Sequence, residues 1–245
     1  MNTAPERCAL TVLCLAGTLF FASPTQAAFR PDDAAALKSA LSGKVVSEGA
    51  LVPRGFIKVA QTKGDLDGDG TDDVAVIVRR AAKKRAKRAP DDNEDVPQAV
   101  LIFTGDKAGT YTLWKLGLNH FMDSSPDLME EGGVGDFQIK KGVLTITSDV
   151  AVSMGTWSAG GCTTKWRNGA AGLQLIGLTV SDIDRKCACG TTRDTNYLTG
   201  LTIFRDERER ADDDRPRQRV KRTPSKPQTI PWEVFDFDKL CASGS

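Results

Sequence analysis

The sequence predicts a mainly β protein made of antiparallel sheets, arranged as a sandwich or as a partial, propeller-like meander, with one short N-terminal helix. Short runs of β-branched and apolar residues recur along the chain and are separated by glycine-containing turns. After residue 43, no stretch of helical length has the spacing of an amphipathic helix. The length of 245 residues suits one domain with its own core once an N-terminal leader is set aside.

The start of the chain has the pattern of a secretory signal peptide over residues 1–27. Arg7 lies in a short polar start, an apolar stretch follows at residues 9–22, and small residues end at Ala27. A transmembrane helix needs about 18 apolar residues, more than this stretch provides, and an uncleaved membrane anchor is the alternative interpretation. We therefore expect export to the periplasm or the extracellular space, no transmembrane anchor, and a single β-rich domain over residues 28–245.

One helix and a series of strands are predicted in that domain. The helix covers residues 32–43, because acids fill its first turn, Leu37 and Leu41 lie four residues apart, and a glycine ends it. Residues 74–78 and 100–103 are apolar on both faces, and we expect them to pair in the centre of a sheet. The glycine-rich residues 168–172 are expected to form a hairpin turn. The predicted strands cover residues 55–61, 74–78, 100–103, 110–116, 137–139, 143–152, 163–167, 173–180, 201–204 and 232–237.

Two charged insertions interrupt this pattern, at about residues 79–97 and 205–229, and both are predicted to be solvated loops. The formal net charge is +1, so no overall field attracts nucleic acid or membrane. The basic run from Arg79 to Arg88 could make a weak contact with a polyanion or with anionic lipid. The acidic residues 91–95 beside it are an alternative partner, and no aromatic residue is interleaved for base stacking.

The most informative motif is the acidic segment at residues 64–73, which has the sequence GDLDGDGTDD. Alternate carboxylates can turn toward one point, and Gly70 supplies the sharp bend that a calcium loop needs in its middle. An all-oxygen ligand set on a flexible loop favours a calcium ion over magnesium or a transition metal. The predicted metal ligands are the carboxylates of Asp65, Asp67, Asp69 and Asp73 and the main-chain carbonyl of Thr71.

This segment differs from an EF-hand. Asp72 stands at position eight, where an EF-hand has an apolar residue, and Val76 stands at position twelve, where it has a bidentate glutamate. The residues after the loop are β-branched, so a strand is expected there instead of a helix. A turn rich in Asp and Gly that binds no metal is the alternative interpretation.

Residues 64–76, GDLDGDGTDDVAV, resemble the opening of the FG-GAP or VCBS-type repeat of integrin-like propellers and many exported bacterial proteins. Residues 100–111, VLIFTGDKAGTY, look like the second half of that repeat, and one clear copy is present. The resemblance covers residues 64–111, broken by the charged insertion. It implies a calcium ion held by the matching aspartates, which are Asp65, Asp67, Asp69 and Asp73, together with the Thr71 carbonyl.

Four cysteines remain after the leader, at Cys162, Cys187, Cys189 and Cys241, and an exported chain meets oxidising conditions. Two disulfides are therefore expected, with a zinc site as the alternative. Because Cys187 and Cys189 can hardly bond each other without strain, each is expected to pair with Cys162 or Cys241. The apolar residues 230–241 are predicted to pack against the sheet, with Cys241 closing a disulfide.

The sequence contains no evident catalytic constellation. Its single histidine, His120, has no Gly-x-Ser-x-Gly motif to serve, and a lone histidine is typical of packing or surface positions. We expect a noncatalytic domain with a binding or envelope-structural role and an unknown protein or glycan partner. The alternative is a secreted hydrolase of polysaccharide or another envelope polymer, for which two carboxylates suffice. The candidate acids are Asp127, Glu130, Glu131 and Asp136.

Overall fold

The computed structural model describes residues 31–81, 98–118, 120, 133–151, 158–184, 189–210 and 213–241. Two antiparallel sheets and two short α-helices make up most of this part of the chain, which confirms the predicted mainly β class. The strands are β1 Val45–Ser47, β2 Phe56–Gly64, β3 Asp73–Arg80, β4 Gln98–Gly105, β5 Thr110–Gly117, β6 Gly133–Lys140, β7 Val143–Ala151, β8 Ser158–Gly169, β9 Gly172–Asp184, β10 Cys189–Asn196, β11 Leu201–Arg210, β12 Asp213–Pro224 and β13 Ile230–Pro231. The helices are α1 Pro31–Leu41 and α2 Phe237–Cys241, with 3-10 turns at Glu48–Ala50 and Trp232–Val234.

The first sheet has five strands in the order β1-β5-β4-β3-β2, and the second has eight, ordered β12-β11-β10-β9-β8-β7-β6 with β13 paired to β9. The second sheet is mostly a meander, in which each strand pairs with the next one in sequence. The edge strands β2 and β6 also meet, where the Ile139 main-chain N–H donates to Thr62 Oγ1 at 3.0 Å. This contact fixes one side of the first sheet against the second.

The first sheet is covered on both faces, which explains its apolar central strands. Ala75 and Ile77 of β3 pack into a core shared with the second sheet and the C-terminal segment. The alternate residues Val74 and Val76 pack into a second core under α1. Val74 lies opposite Phe103, so the predicted pairing of the two apolar runs is confirmed.

Helix α1 forms close to where the sequence places it. Leu37 and Leu41 are buried against the first sheet, and Gly43 follows the helix with φ 67°. The buried Asp33 in its first turn forms an ion pair with Arg80 at the end of β3. Arg80 therefore anchors the helix to the sheet. The predicted loop start at residue 79 is wrong, because Arg79 and Arg80 belong to β3, where Arg79 lies opposite Gln98. Residues 82–97 lie outside the described residues.

The prediction of a charged loop at residues 205–229 is wrong for most of that segment. Strands β11 and β12 form a long hairpin, in which Asp206 lies opposite Arg219 and Glu207 opposite Gln218. Backbone ladder bonds do not require apolar side chains, and an opposite-charge pair such as Asp206 and Arg219 adds to them. Charge alone was therefore a poor indicator of a loop. Strand β10 was missed for a related reason, since most of its residues are polar.

The C-terminal segment, residues 230–241, packs against the sheets as predicted, in the core that the two sheets share, although not as the predicted strand over residues 232–237. Its residues instead form a 3-10 turn and α2. Trp232, Phe235 and Phe237 are all buried, a spacing that alternating strand positions cannot supply. Thus the apolar content of the segment was a correct guide to burial and a poor guide to conformation.

A disulfide closes the C-terminal segment. Cys241 is bonded to Cys162 on β8 across 79 residues of sequence, which confirms that Cys241 is bonded. The expectation that Cys187 and Cys189 would take Cys162 and Cys241 as partners is wrong, because Cys162 and Cys241 bond each other. Cys189 is disulfide-bonded too, and Cys187 lies outside the described residues. Among the described residues, no helix combines the length and the apolar character needed to cross a membrane.

Candidate metal centre

The acidic segment forms the connection between β2 and β3, and we call its residues 65–72 the Asp loop. It lies at the end of the first sheet where the β4–β5 turn also emerges. Gly68 and Gly70 have φ values of 89° and 84°, a left-handed conformation that residues with a side chain rarely adopt. These two glycines let the chain reverse tightly, so that the carboxylates before and after them come together.

Three carboxylates converge in this region. Oxygen atoms of Asp65, Asp67 and Asp73 all lie within 4.8 Å of one another. Asp65 and Asp67 are partly buried and Asp73 is fully buried. Three acids at this spacing repel one another unless a cation or protons neutralise them.

Asp73 organises the loop from the first position of β3. Its Oδ2 accepts the main-chain N–H groups of Leu66 and Asp67 at 2.8 and 3.0 Å, and its Oδ1 accepts that of Gly105 at 3.1 Å. Burial raises the pKa of Asp73, while these three N–H groups act in the opposite direction. The carboxylate therefore joins the Asp loop to the β4–β5 turn and remains costly to keep charged without a further cation.

The other loop carboxylates also accept main-chain N–H groups. Asp65 accepts from Gly68 and Gly70 through its two oxygens, at 2.7 and 3.1 Å. Asp67 Oδ1 accepts from Asp69 at 3.0 Å, and Asp69 Oδ1 accepts from Thr71 at 2.7 Å. Because each carboxylate oxygen has two lone pairs, such a bond leaves room for a metal ion.

The structure brings together three of the five predicted ligands. Asp69 is exposed, and neither it nor Thr71 belongs to the three-carboxylate cluster, so their roles as ligands stay predictions. The cluster offers only oxygen atoms on a tightly turning, polar loop. That donor set fits a hard cation of the calcium type better than a transition metal.

No protein-family model, no curated protein and no solved structure matches the chain. The chemistry of the site therefore rests on its own geometry and on the residues that surround it.

The second sheet contributes to this site in a way that the sequence did not reveal. Asn168, at the end of β8, donates its side-chain N–H to the main-chain oxygen of Asp67 at 3.2 Å. Its neighbour Arg167 and the β6–β7 turn residue Lys141 line an adjoining cavity of about 440 Å³ together with the loop. The glycine-rich sequence at residues 168–172 predicted a hairpin turn correctly, but nothing local indicated which loop that turn would face.

His120 lies in a different environment. It is 5% exposed, and its ring centroid is 3.8 Å from that of Trp232, 5.0 Å from that of Phe235 and 5.5 Å from that of Trp166. Among the described residues, neither ring nitrogen has a hydrogen-bond partner, although the main chain of Trp232 faces the ring. Burial lowers the pKa of His120 to about 3, so it is a neutral packing residue at physiological pH.

Of the acids that the sequence offers for a hydrolase, the structure describes one. Asp127, Glu130 and Glu131 lie outside the described residues. Asp136 is on β6, where its Oδ2 accepts a bond from the side-chain amide of Gln138 at 2.5 Å. The described residues thus provide one of the four candidate acids and no facing pair to evaluate.

Proposed function

We propose that this protein is an exported, noncatalytic β domain that is stabilised by one calcium ion and acts in binding or in envelope structure. The observation that carries the proposal is the convergence of Asp65, Asp67 and Asp73 within 4.8 Å. The resemblance of residues 64–111 to a single FG-GAP or VCBS-type repeat supports the same ion.

A neighbouring turn indicates that the Asp loop has more carboxylates than its fold requires. In the β4–β5 turn, Asp106 alone accepts the N–H groups of Ala108 and Thr110, both at 2.9 Å, and the Thr110 hydroxyl at 2.6 Å. These bonds lower the pKa of Asp106, with the Thr110 hydroxyl as the largest cause. One exposed aspartate is thus enough to close a turn, whereas three carboxylates gather at the Asp loop.

Bound calcium would supply positive charge at the point where these carboxylates converge. Asp65 and Asp67 would hold it from within the loop, and Asp73 from the first residue of β3. Because Asp73 also accepts the N–H of Gly105, a cation there would tie the Asp loop, β3 and the β4–β5 turn together. The expected result is a stiffer end of the first sheet, which gives a binding surface a fixed shape.

Two further features support export and binding. The Cys162–Cys241 disulfide and the bonded Cys189 are typical of proteins that mature in an oxidising compartment, in line with the leader predicted at residues 1–27. The clustered carboxylates accept main-chain N–H groups and also converge on one another, so an ion bound among them would stabilise the loop. An ion held in this way has a structural role, which favours a noncatalytic domain.

Thermal unfolding with calcium titration tests the proposal. At a calcium concentration ten times the dissociation constant, the free energy of unfolding should rise by about 1.4 kcal/mol, and chelation should reverse the change. Asp67→Ala should abolish the response. The Asp67 side chain accepts one main-chain N–H, that of Asp69, so the variant loses little of the loop's hydrogen bonding and is expected to fold.

Asp106→Ala is the matched control, because Asp106 also accepts turn N–H groups but lies outside the cluster. It should keep the full calcium response. A melting temperature that stays constant over millimolar calcium in the wild type would refute the proposal. Equal responses in the wild type and Asp67→Ala would do the same.

A further inference from the structure

The cavity beside the Asp loop is lined by residues of opposite charge. Asp65 and Asp67 come from the loop, Lys141 and Arg167 come from the second sheet, and Asn168 follows Arg167 in β8. The volume of about 440 Å³ is within the range of small-ligand sites. The two cations are exposed and belong to different hairpins of the second sheet, the β6–β7 turn and the end of β8.

No ion pair joins Lys141 or Arg167 to another residue in the described part of the chain, although two loop carboxylates line the same cavity. Two other cations do form ion pairs, Lys115 with Glu233 and Arg205 with Asp194. As far as the described residues show, the two cations of the cavity are therefore available to a ligand.

The backbone at Lys141 supports a role for its side chain. Lys141 has φ 54°, and it is the one described residue other than glycine with a positive φ. The left-handed conformation is unfavourable for a residue of this kind, and Asn or Gly is preferred at such a turn position. A lysine there does not help the turn itself, and Lys141 is one of the residues that line the cavity.

Calcium in the Asp loop would change what the cavity attracts. The ion adds two positive charges beside carboxylates that otherwise repel anions, so an anionic ligand is favoured only when the ion is bound. Asn168 links the Asp loop to the end of β8, because its side-chain amide donates to the main-chain oxygen of Asp67 at 3.2 Å. Arg167 is the residue before Asn168 in that strand. The proposed calcium site and Arg167 are thus connected through Asn168.

The residues that line the cavity favour one class of anion. Leu66 and Ile139 are the large apolar residues of the cavity, both are largely buried, and none of the described residues that line it is aromatic. A peptide anchored by an apolar side chain has little to bind here, whereas a sugar presents hydroxyls to the amide and carboxylates. An arginine guanidinium forms two parallel bonds to a carboxylate, which matches the acid group of a uronic acid.

We infer that this cavity binds the carboxylate of an acidic saccharide, of the hexuronic acid class, through Arg167 and Lys141 when calcium occupies the Asp loop. The inference rests on the calcium site proposed above and names the ligand class of that surface. By thermodynamic reciprocity, the saccharide should raise the affinity for calcium by the same factor by which calcium raises the affinity for the saccharide.

Calorimetric titration of the full mature chain tests this, with a tetrasaccharide that contains hexuronic acid as the probe and calcium in large excess. Two matched probes accompany it: the carboxyl-reduced tetrasaccharide and an acidic tetrapeptide with the same number of carboxylates. Binding of the acidic tetrasaccharide should weaken at least tenfold on chelation of calcium. The reduced saccharide and the tetrapeptide should bind at least tenfold more weakly.

The variants are Arg167→Gln and Lys141→Asn, alone and combined, with Lys44→Gln as an exposed control outside the cavity. Asparagine suits the positive φ at position 141, so the turn should form in that variant. The double variant should lose at least tenfold in saccharide affinity and keep the calcium-induced rise in melting temperature, and Lys44→Gln should change neither.

Three results would overturn the inference. One is a normal calcium response without saccharide binding, which leaves the calcium site intact. Another is unchanged saccharide affinity in the double variant. The third is equal affinity for the acidic tetrapeptide, which would identify a general anion site or a protein partner instead. Absence of any calcium response would mean that the proposed function itself has failed, and the inference with it.

Discussion

Two buried ionisable groups, Asp73 and His120, show opposite ways of accommodating a titratable side chain in this protein. Asp73 is fully buried among polar groups, with three main-chain N–H groups bonded to its oxygens and two further carboxylates nearby. His120 is buried among the rings of Trp166, Trp232 and Phe235, and among the described residues its nitrogens have no partner.

The difference separates the environment of a proposed ion site from a packing environment. A buried charge is tolerated when hydrogen bonds and a counter-ion compensate its lost hydration, and a buried base without such partners is tolerated only when neutral. Asp73 has the hydrogen bonds of the first kind, to which the proposed calcium ion would add the counter-ion, and His120 has the second kind of surroundings. Burial alone would have ranked the two groups equally as site candidates.

Acid should lower the free energy of unfolding because His120 is buried, and this is the largest effect expected. Its pKa is about 3 in the folded state against an ordinary value of 6.5, so the unfolded chain binds the additional proton between those values. This contribution is complete above pH 6.5 and is lost as the pH falls toward 3, by up to about 5 kcal/mol. Urea unfolding of the wild type and His120→Phe across this range measures it.

The quantity to compare is the difference in free energy of unfolding between the two proteins, because the titration of the carboxylates common to both cancels in it. At pH 8 the two should agree within about 1.5 kcal/mol, since phenylalanine has a similar volume and suits the aromatic cluster. Below pH 6.5 the variant should gain about 1.4 kcal/mol per pH unit relative to the wild type. Trp166, Trp232 and Phe235 around the ring are uncharged, while Lys115 and Glu233 on the adjoining elements pair with each other. A flat difference would show that the aromatic rings stabilise the imidazolium and that the contrast with Asp73 is wrong.

Removal of the Asp73 carboxylate should have the next largest effect. Asp73→Ala leaves the N–H groups of Leu66, Asp67 and Gly105 without their acceptor, at a cost of about 3 kcal/mol when such groups stay buried. Chemical denaturation in a chelator isolates this loss from any effect of calcium. Asp73→Asn, which keeps one acceptor oxygen, should lose less, and Asp106→Ala in the exposed neighbouring turn should lose least. A loss for Asp106→Ala as large as that for Asp73→Ala would contradict the special role of the buried carboxylate.

The sequence predicted the Asp loop better than its surroundings, and the reason is physical. Alternate carboxylates and glycines within ten residues define a local turn, so the convergence of Asp65, Asp67 and Asp73 could be predicted from the sequence. Gly105 and Asn168 reach the loop only through sheet pairing and sheet packing, which depend on contacts distant in sequence. The same holds for Lys141 and Arg167, which come from separate hairpins of the second sheet.

The fold followed a similar rule. Strands with apolar residues, such as β3 and β4, were identified and paired correctly because burial on both faces leaves a local signature. The charged hairpin of β11 and β12 was not identified, because its strands are held by main-chain hydrogen bonds, which leave no apolar pattern in the sequence. The interpretation of residues 232–237 as a strand failed where Trp232, Phe235 and Phe237 satisfy a packing geometry and not an alternation.

Calcium binding itself tests the central claim most directly, although its energy should be smaller than the effects of acid on His120 and of removing the Asp73 carboxylate. Isothermal titration of the mature protein should give a stoichiometry of one calcium ion per chain. Asp106→Ala should bind with unchanged affinity and His120→Phe likewise, while Asp67→Ala and Asp73→Ala should bind at least tenfold more weakly because each removes a carboxylate from the cluster. No binding at millimolar calcium, or equal binding by Asp67→Ala and the wild type, would contradict the account and leave the Asp loop as a turn held by hydrogen bonds alone.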